Sequence, residues 1–119
     1  MRVLAAAAAT VALLAGCGGG GASQPAGSIK VTMTEYSFSP STVTAPSGKV
    51  VLYLVNSGTV SHDMIIRDSS GTKVAGSELI SASDAFVFTV NSIAAGSYTF
   101  ICDQPGHEAS GMKGTLTVT

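Results

Sequence analysis

Lys49-Val50-Val51-Leu52-Tyr53-Leu54-Val55 is the longest apolar run downstream of residue 28, and Asn56-Ser57-Gly58-Thr59 breaks it. A run this short, closed by turn residues, reads as a strand, and apolar side chains on both faces predict a central strand covered on both sides. Outward from it the pattern keeps a period of two. Ile29, Val31 and Met33 alternate with Lys30, Thr32 and Thr34, and Thr42-Val43-Thr44-Ala45 follows Ser39-Pro40-Ser41. Pro46-Ser47-Gly48 then turns the chain into the central run. Beyond it, His62 to Arg67 reads as a strand ending at Asp68-Ser69-Ser70-Gly71. Ala85 to Val90 alternates again, Ser97 to Cys102 follows Ala95-Gly96, and Thr115 to Thr119 closes the region. No stretch sustains a helical period. The expectation is an all-β fold, a Greek-key β-sandwich or barrel of about seven or eight antiparallel strands. Thr72 to Asp84 fits a short helix or an irregular edge equally well.

The chain has 119 residues, which is one domain's worth. Its start reads differently from the rest. Met1 and Arg2 precede an apolar run from Val3 to Leu14, too short for the roughly 20 residues a membrane-spanning helix needs. Charged start, short apolar stretch and small-residue site together read as a leader that is removed. Leu14-Ala15-Gly16-Cys17 resembles the lipobox of bacterial lipoproteins, which implies cleavage before Cys17 and a diacylglyceryl group on its sulfur. The expected organisation is therefore a signal peptide over residues 1–16, a lipidated Cys17 with a flexible Gly/Ser/Pro leash over 17–27, and a folded domain over 28–119. An extracytoplasmic position follows, the domain being anchored to a bacterial membrane on its cell-surface or periplasmic face.

Charge narrows the partners. Without Arg2, five cationic side chains face seven carboxylates, so the processed chain carries a net charge of about −2 at neutral pH. A nucleic-acid partner needs a basic face that this chain lacks. Attachment to a membrane would come from the lipid, since two acyl chains suffice for stable anchoring. The chain has two cysteines. With Cys17 lipidated, an exported domain keeps Cys102 alone and no internal disulfide, so a small core must hold the fold unaided. A bound metal would add stability by favouring the folded state.

Chemistry concentrates near the C-terminus. Cys102-Asp103-Gln104-Pro105-Gly106-His107-Glu108-Ala109-Ser110-Gly111-Met112 places a thiol, an imidazole and a thioether at C-x4-H-x4-M. The chain's other histidine is His62. Taken singly, each residue has an ordinary structural explanation. Together, two imidazoles, a thiolate and a thioether are the soft and borderline donors that suit copper, and a trigonal His, His, Cys set with a weak axial Met serves electron transfer. Met33 and Met64 sit in apolar strand patterns and are assigned to packing.

Asn56-x5-His62, Tyr98-x-Phe100-x-Cys102, Pro105-Gly106-His107, Gly111-Met112 and a closing strand from Gly114 resemble the cupredoxin family, the blue type 1 copper proteins of plastocyanin, auracyanin and rusticyanin type. The resemblance spans residues 29–119. It implies one copper ion per chain at one end of a sandwich, held by His62 from one loop and by Cys102, His107 and Met112 from another. It also implies that His107 is the electron door, with Val60, Pro105 and Ala109 as its apolar surround, where redox proteins dock. Family members often carry Asn after the first histidine; here Asp63 stands there, and its charge is expected to favour Cu(II).

These features predict a membrane-tethered, monomeric carrier of single electrons rather than an enzyme. Multicopper oxidases and nitrite reductases need further histidines, and a binuclear copper loop needs a second cysteine. No phosphate-binding loop, serine nucleophile elbow or paired-histidine zinc motif occurs. The alternative is an extracytoplasmic copper chaperone or copper-handling lipoprotein, which favours open, exposed Met and His sites. A structural copper beneath a protein interface is a third reading.

Overall fold

The computed structural model describes residues 22–119. The expected signal peptide and Cys17 lie outside the described residues.

Nine strands form two sheets, with no helix among the described residues. In chain order they are β1 (Ile29–Thr34), β2 (Ser37–Ser39), β3 (Thr42–Ala45), β4 (Gly48–Asn56), β5 (Ile65–Arg67), β6 (Lys73–Gly76), β7 (Ala85–Ile93), β8 (Gly96–Ile101) and β9 (Lys113–Val118). One sheet has the order β2-β1-β4-β7 and the other β3-β9-β8-β5-β6. The all-β sandwich matches the expectation from the sequence, with two more short strands than its lower count.

The expected antiparallel arrangement is corrected at two places: β1 runs parallel to β4, and β3 runs parallel to β9. Both follow from the crossing of the chain between sheets, since β2 and β3 flank the Ser39–Pro40 corner and belong to opposite layers.

The central run is β4, between β1 and β7. Val50, Leu52, Leu54 and Asn56 point inward and are buried, whereas Val51, Tyr53 and Val55 on the other face are half-buried. The prediction of cover on both sides is therefore half right. Among the described residues, no second layer of sheet covers the outer face. Residues just before β1 touch it instead, with the Tyr53 hydroxyl donating to the Ala22 carbonyl at 2.7 Å. On the inner face, burying each Leu, Val or Phe side chain stabilises the fold by about 1.5–3 kcal/mol.

Met33 and Met64 are fully buried in the core, as the apolar patterns predict. Phe100 lies opposite Gly114 in the β8–β9 register and packs edge-on against Phe38, with ring centroids 5.0 Å apart. A side chain at position 114 would collide with the Phe100 ring and the Ser41 carbonyl, so glycine is required there.

Two local expectations change. The strand predicted from His62 begins only at Ile65, because His62 pairs with Ile80 in an isolated bridge (N–H to O distances 3.1 and 2.8 Å) that pulls it out of line with β5. The undecided stretch from Thr72 to Asp84 forms β6, an outer strand beside β5, followed by an irregular segment that reaches that bridge. The Ser77 hydroxyl accepts the Met64 N–H at 2.9 Å and pins this segment.

Candidate metal centre

Two loops at one end of the sandwich carry the predicted donors. The first leaves β4 at Asn56, whose buried amide builds it. Asn56 Nδ2 donates to the carbonyls of Val60 and Ile80, both at 2.9 Å, and Oδ1 accepts the Gly58 N–H at 2.9 Å. Two of the amide's bonds close the turn locally and the third reaches across to the Ile80 segment, which is why Asn rather than an apolar residue ends the strand. His62 follows, fully buried.

The second loop leaves β8 at Cys102 and returns at Met112, both fully buried. The Cys102 N–H donates to the Met112 carbonyl (3.2 Å), and the Met112 N–H donates to the His107 carbonyl (3.1 Å). Between them the chain makes consecutive turns, with Gly106 at φ 78° and Gly111 at φ 103°. Those left-handed conformations are strained for other residues and are the reason glycine flanks His107 and Met112.

The donor atoms converge. His62 Nδ1 and His107 Nδ1 are 3.2 Å apart, and Cys102 Sγ lies 3.8 Å from the first and 3.4 Å from the second. A metal held at about 2.0 Å from nitrogen and about 2.3 Å from sulfur, centred in a trigonal set, would space its nitrogens by roughly 3.5 Å and nitrogen from sulfur by roughly 3.7 Å. The triangle present fits to within a few tenths of an ångström. Met112 is tied by its backbone to both Cys102 and His107, so all four predicted residues meet at one end of the fold. Burial pushes the Cys102 thiol above its ordinary range, while backbone groups of Asp63 and Gln104 oppose the shift. A cation at the centre of the triangle would favour the thiolate.

Asp63 is buried and its Oδ1 accepts the Asp103 N–H at 2.9 Å, joining the His62 loop to the Cys102 loop. Burial and the adjacent Asp103 raise its carboxyl, and the same backbone N–H pulls it the other way.

Sequence reasoning missed two residues, Glu35 and Tyr36, which lie side by side in the turn between β1 and β2. Glu35 Oε1 is 3.1 Å from His62 Nε2 and accepts the N–H groups of Thr59 (2.8 Å) and Val60 (3.0 Å). Hydrogen bonds from Val60 and Thr59, then from His62, lower its pKa to about 2. Tyr36 packs edge-on against His107 with ring centroids 4.9 Å apart, and is itself 44% exposed. Neither carries a sequence signal, because the contact needs β1 and β4 to pair before the turn reaches the site.

His107 is half-buried, and Val60, Pro105 and Ala109 are exposed, so the predicted door has a path to solvent.

The chain is 30% identical to plastocyanin of Scenedesmus fuscus over 86 residues, 68% of this chain and 85% of that one. It is 44% identical to auracyanin-B of Chloroflexus aurantiacus over 46 residues, 39% of this chain; the match spans a fifth (20%) of that relative's length. Among solved structures, auracyanin of Roseiflexus castenholzii superposes with a TM-score of 0.70 at 22% identity, covering 77% of this chain and 96% of that one. At that identity the likeness shows the fold. A fern plastocyanin gives a TM-score of 0.60 at 27% identity over 76% of this chain and 99% of its own. The model of the cupredoxin-like domain matches residues 4–118. A two-sheet sandwich with converging imidazole and thiol donors at one end, matched along almost the whole chain by that model, makes this protein a member of the cupredoxin family with a single type 1 copper site.

Proposed function

We propose that this domain shuttles single electrons between redox proteins, with His62, Cys102 and His107 as trigonal copper ligands and Met112 as the weak axial one. The observation that carries this reading is the triangle of two Nδ1 atoms and one Sγ, all within 4.8 Å of one another. Bound copper supplies the Cu(I)/Cu(II) couple. The protein supplies rigidity: Cys102 extends β8, His62 is locked by the Ile80 bridge and the Asn56 amide, and Asp63 ties the loops together. Donors held this way need little movement between charge states. His107 at the surface offers the shortest route outward, and the exposed Val60, Pro105 and Ala109 beside the two loops favour a docking partner with an apolar face.

A lipid on Cys17 would hold the domain to a bacterial membrane on its cell-surface or periplasmic face, where the copper end could meet partners. Cys17→Ser should release the protein from washed membranes; retention there would sink the lipid anchor.

The domain purified without residues 1–17 should turn blue or green with Cu(II) and bleach reversibly with ascorbate, and Cys102→Ala should stay colourless. Copper uptake without colour in the unsubstituted domain, with ready loss of Cu(I), would instead favour the copper-handling alternative.

A further inference from the structure

His62 is engaged at both ring nitrogens. Nδ1 faces His107 and Cys102, and Nε2 lies 3.1 Å from Glu35 Oε1. A carboxylate oxygen only accepts, so Nε2 carries the ring proton and donates it, leaving the Nδ1 lone pair aimed into the donor triangle. Glu35 is well held for this task. Its Oε1 also accepts the N–H groups of Thr59 and Val60, and Gly58 leaves the room: a Cβ there would run into the Glu35 carboxylate. The histidine is fully buried while the Glu35 side chain is 26% exposed, so the ion sits at the solvent edge with its charge turned inward along the ring. The next residue, Tyr36, packs on His107, so a single turn braces both imidazoles.

We propose that Glu35 is an anionic positioning residue for His62, fixing the ring with Nδ1 toward the metal and strengthening that nitrogen as a donor, which favours the more highly charged metal state. The inference rests on the copper reading above and adds a residue to it. Carboxylates behind a ligating histidine orient the ring and raise its basicity, and losing one typically costs 10–100-fold in metal affinity.

Glu35→Gln in the copper-loaded protein is the test. Gln keeps the side chain's length and an oxygen for the Thr59 and Val60 N–H groups, and removes only the charge. The ratio of Cu(I) to Cu(II) affinity should rise about tenfold, which for one electron is a reduction potential higher by about 59 mV. In the protein loaded with Zn(II) and labelled with nitrogen-15, the wild-type His62 Nε2–H should appear downfield and exchange slowly with water, and should move upfield in the variant. An unmoved potential overturns the proposal whatever the resonance does, because a purely structural role for Glu35 would leave the couple alone once the site is formed. If the variant does not fold, the wild-type spectrum decides: a proton on Nδ1, or an Nε2–H exchanging as fast as free imidazole, overturns it. Failure of the wild-type protein to colour with Cu(II) would count against the copper reading, and the zinc-loaded spectrum would still judge Glu35.

Discussion

His62 and His107 stand 45 positions apart in the chain, yet their Nδ1 atoms are 3.2 Å from each other, with the Cys102 sulfur completing the triangle. Two ring nitrogens at that separation share at most one proton, and a buried thiol beside them has its pKa raised by burial. Metal binding relieves all three at once. Removal of the metal should therefore lower the melting temperature, and saturation at 100 times the dissociation constant should restore about 2.7 kcal/mol of stability. Calorimetry of metal-free and Zn(II)- or Cu-loaded protein checks this; coincident transitions would contradict a site in the folded state.

Met112 is buried at the return of the ligand loop. Leu fills nearly the same volume, so the fold should tolerate Met112→Leu at a cost below about 1.5 kcal/mol. With the thioether as the proposed weak axial donor, its loss should keep the colour and raise the potential. Voltammetry showing a lower potential would remove Met112 from the axial position.

Asp63 joins the ligand loops through the Asp103 N–H. Asn offers an oxygen to the same N–H without the charge. Asp63→Asn should leave the fold intact and raise the potential, since less negative charge near the metal disfavours Cu(II). An unchanged or lowered value at neutral pH would show that Asp63 contributes no charge to the couple.

Asn56 serves two carbonyls and one N–H from a buried position. Asn56→Ala should destabilise the domain by about 2–3 kcal/mol, because a lost partner leaves buried groups unpaired at about 1–3 kcal/mol each. It should also loosen His62, whose N–H bonds to the same Ile80 carbonyl. Urea denaturation monitors the first effect, and a loss of less than 0.5 kcal/mol, roughly that of an ordinary surface change, would contradict it.

Asp68 caps the turn between β5 and β6, its Oδ1 accepting Ser70 Oγ (2.6 Å), Ser70 N–H (2.9 Å) and Thr72 N–H (3.0 Å). These bonds, Ser70's hydroxyl first and Thr72's N–H next, lower its carboxyl pKa below the ordinary 3.8. A carboxyl lowered on folding stabilises the native state above its unfolded pKa, and that contribution fades as pH falls through the folded value. Asp68→Asn should therefore flatten part of the acid limb below about pH 4. Superimposable acid limbs for the two proteins would remove this turn as a source of pH sensitivity.

Period-two alternation and turn residues were enough to read the all-β fold, because strand burial is written in every second residue and needs no partner to be named. The C-x4-H-x4-M loop was legible for a similar reason. Its three donors share one loop, where spacing alone limits their separation, and His62 could be added because the chain holds no other second histidine. Relations between distant segments were not written there. The parallel pairing of β1 with β4, the half-buried outer face of β4, and the Ile80 bridge that bends His62 out of β5 depend on which strands meet and in what register. Glu35 is the plainest case. In the chain it is one carboxylate in a turn, and only the pairing of β1 with β4 carries it to the far nitrogen of His62, where a charge can act on a metal it does not touch.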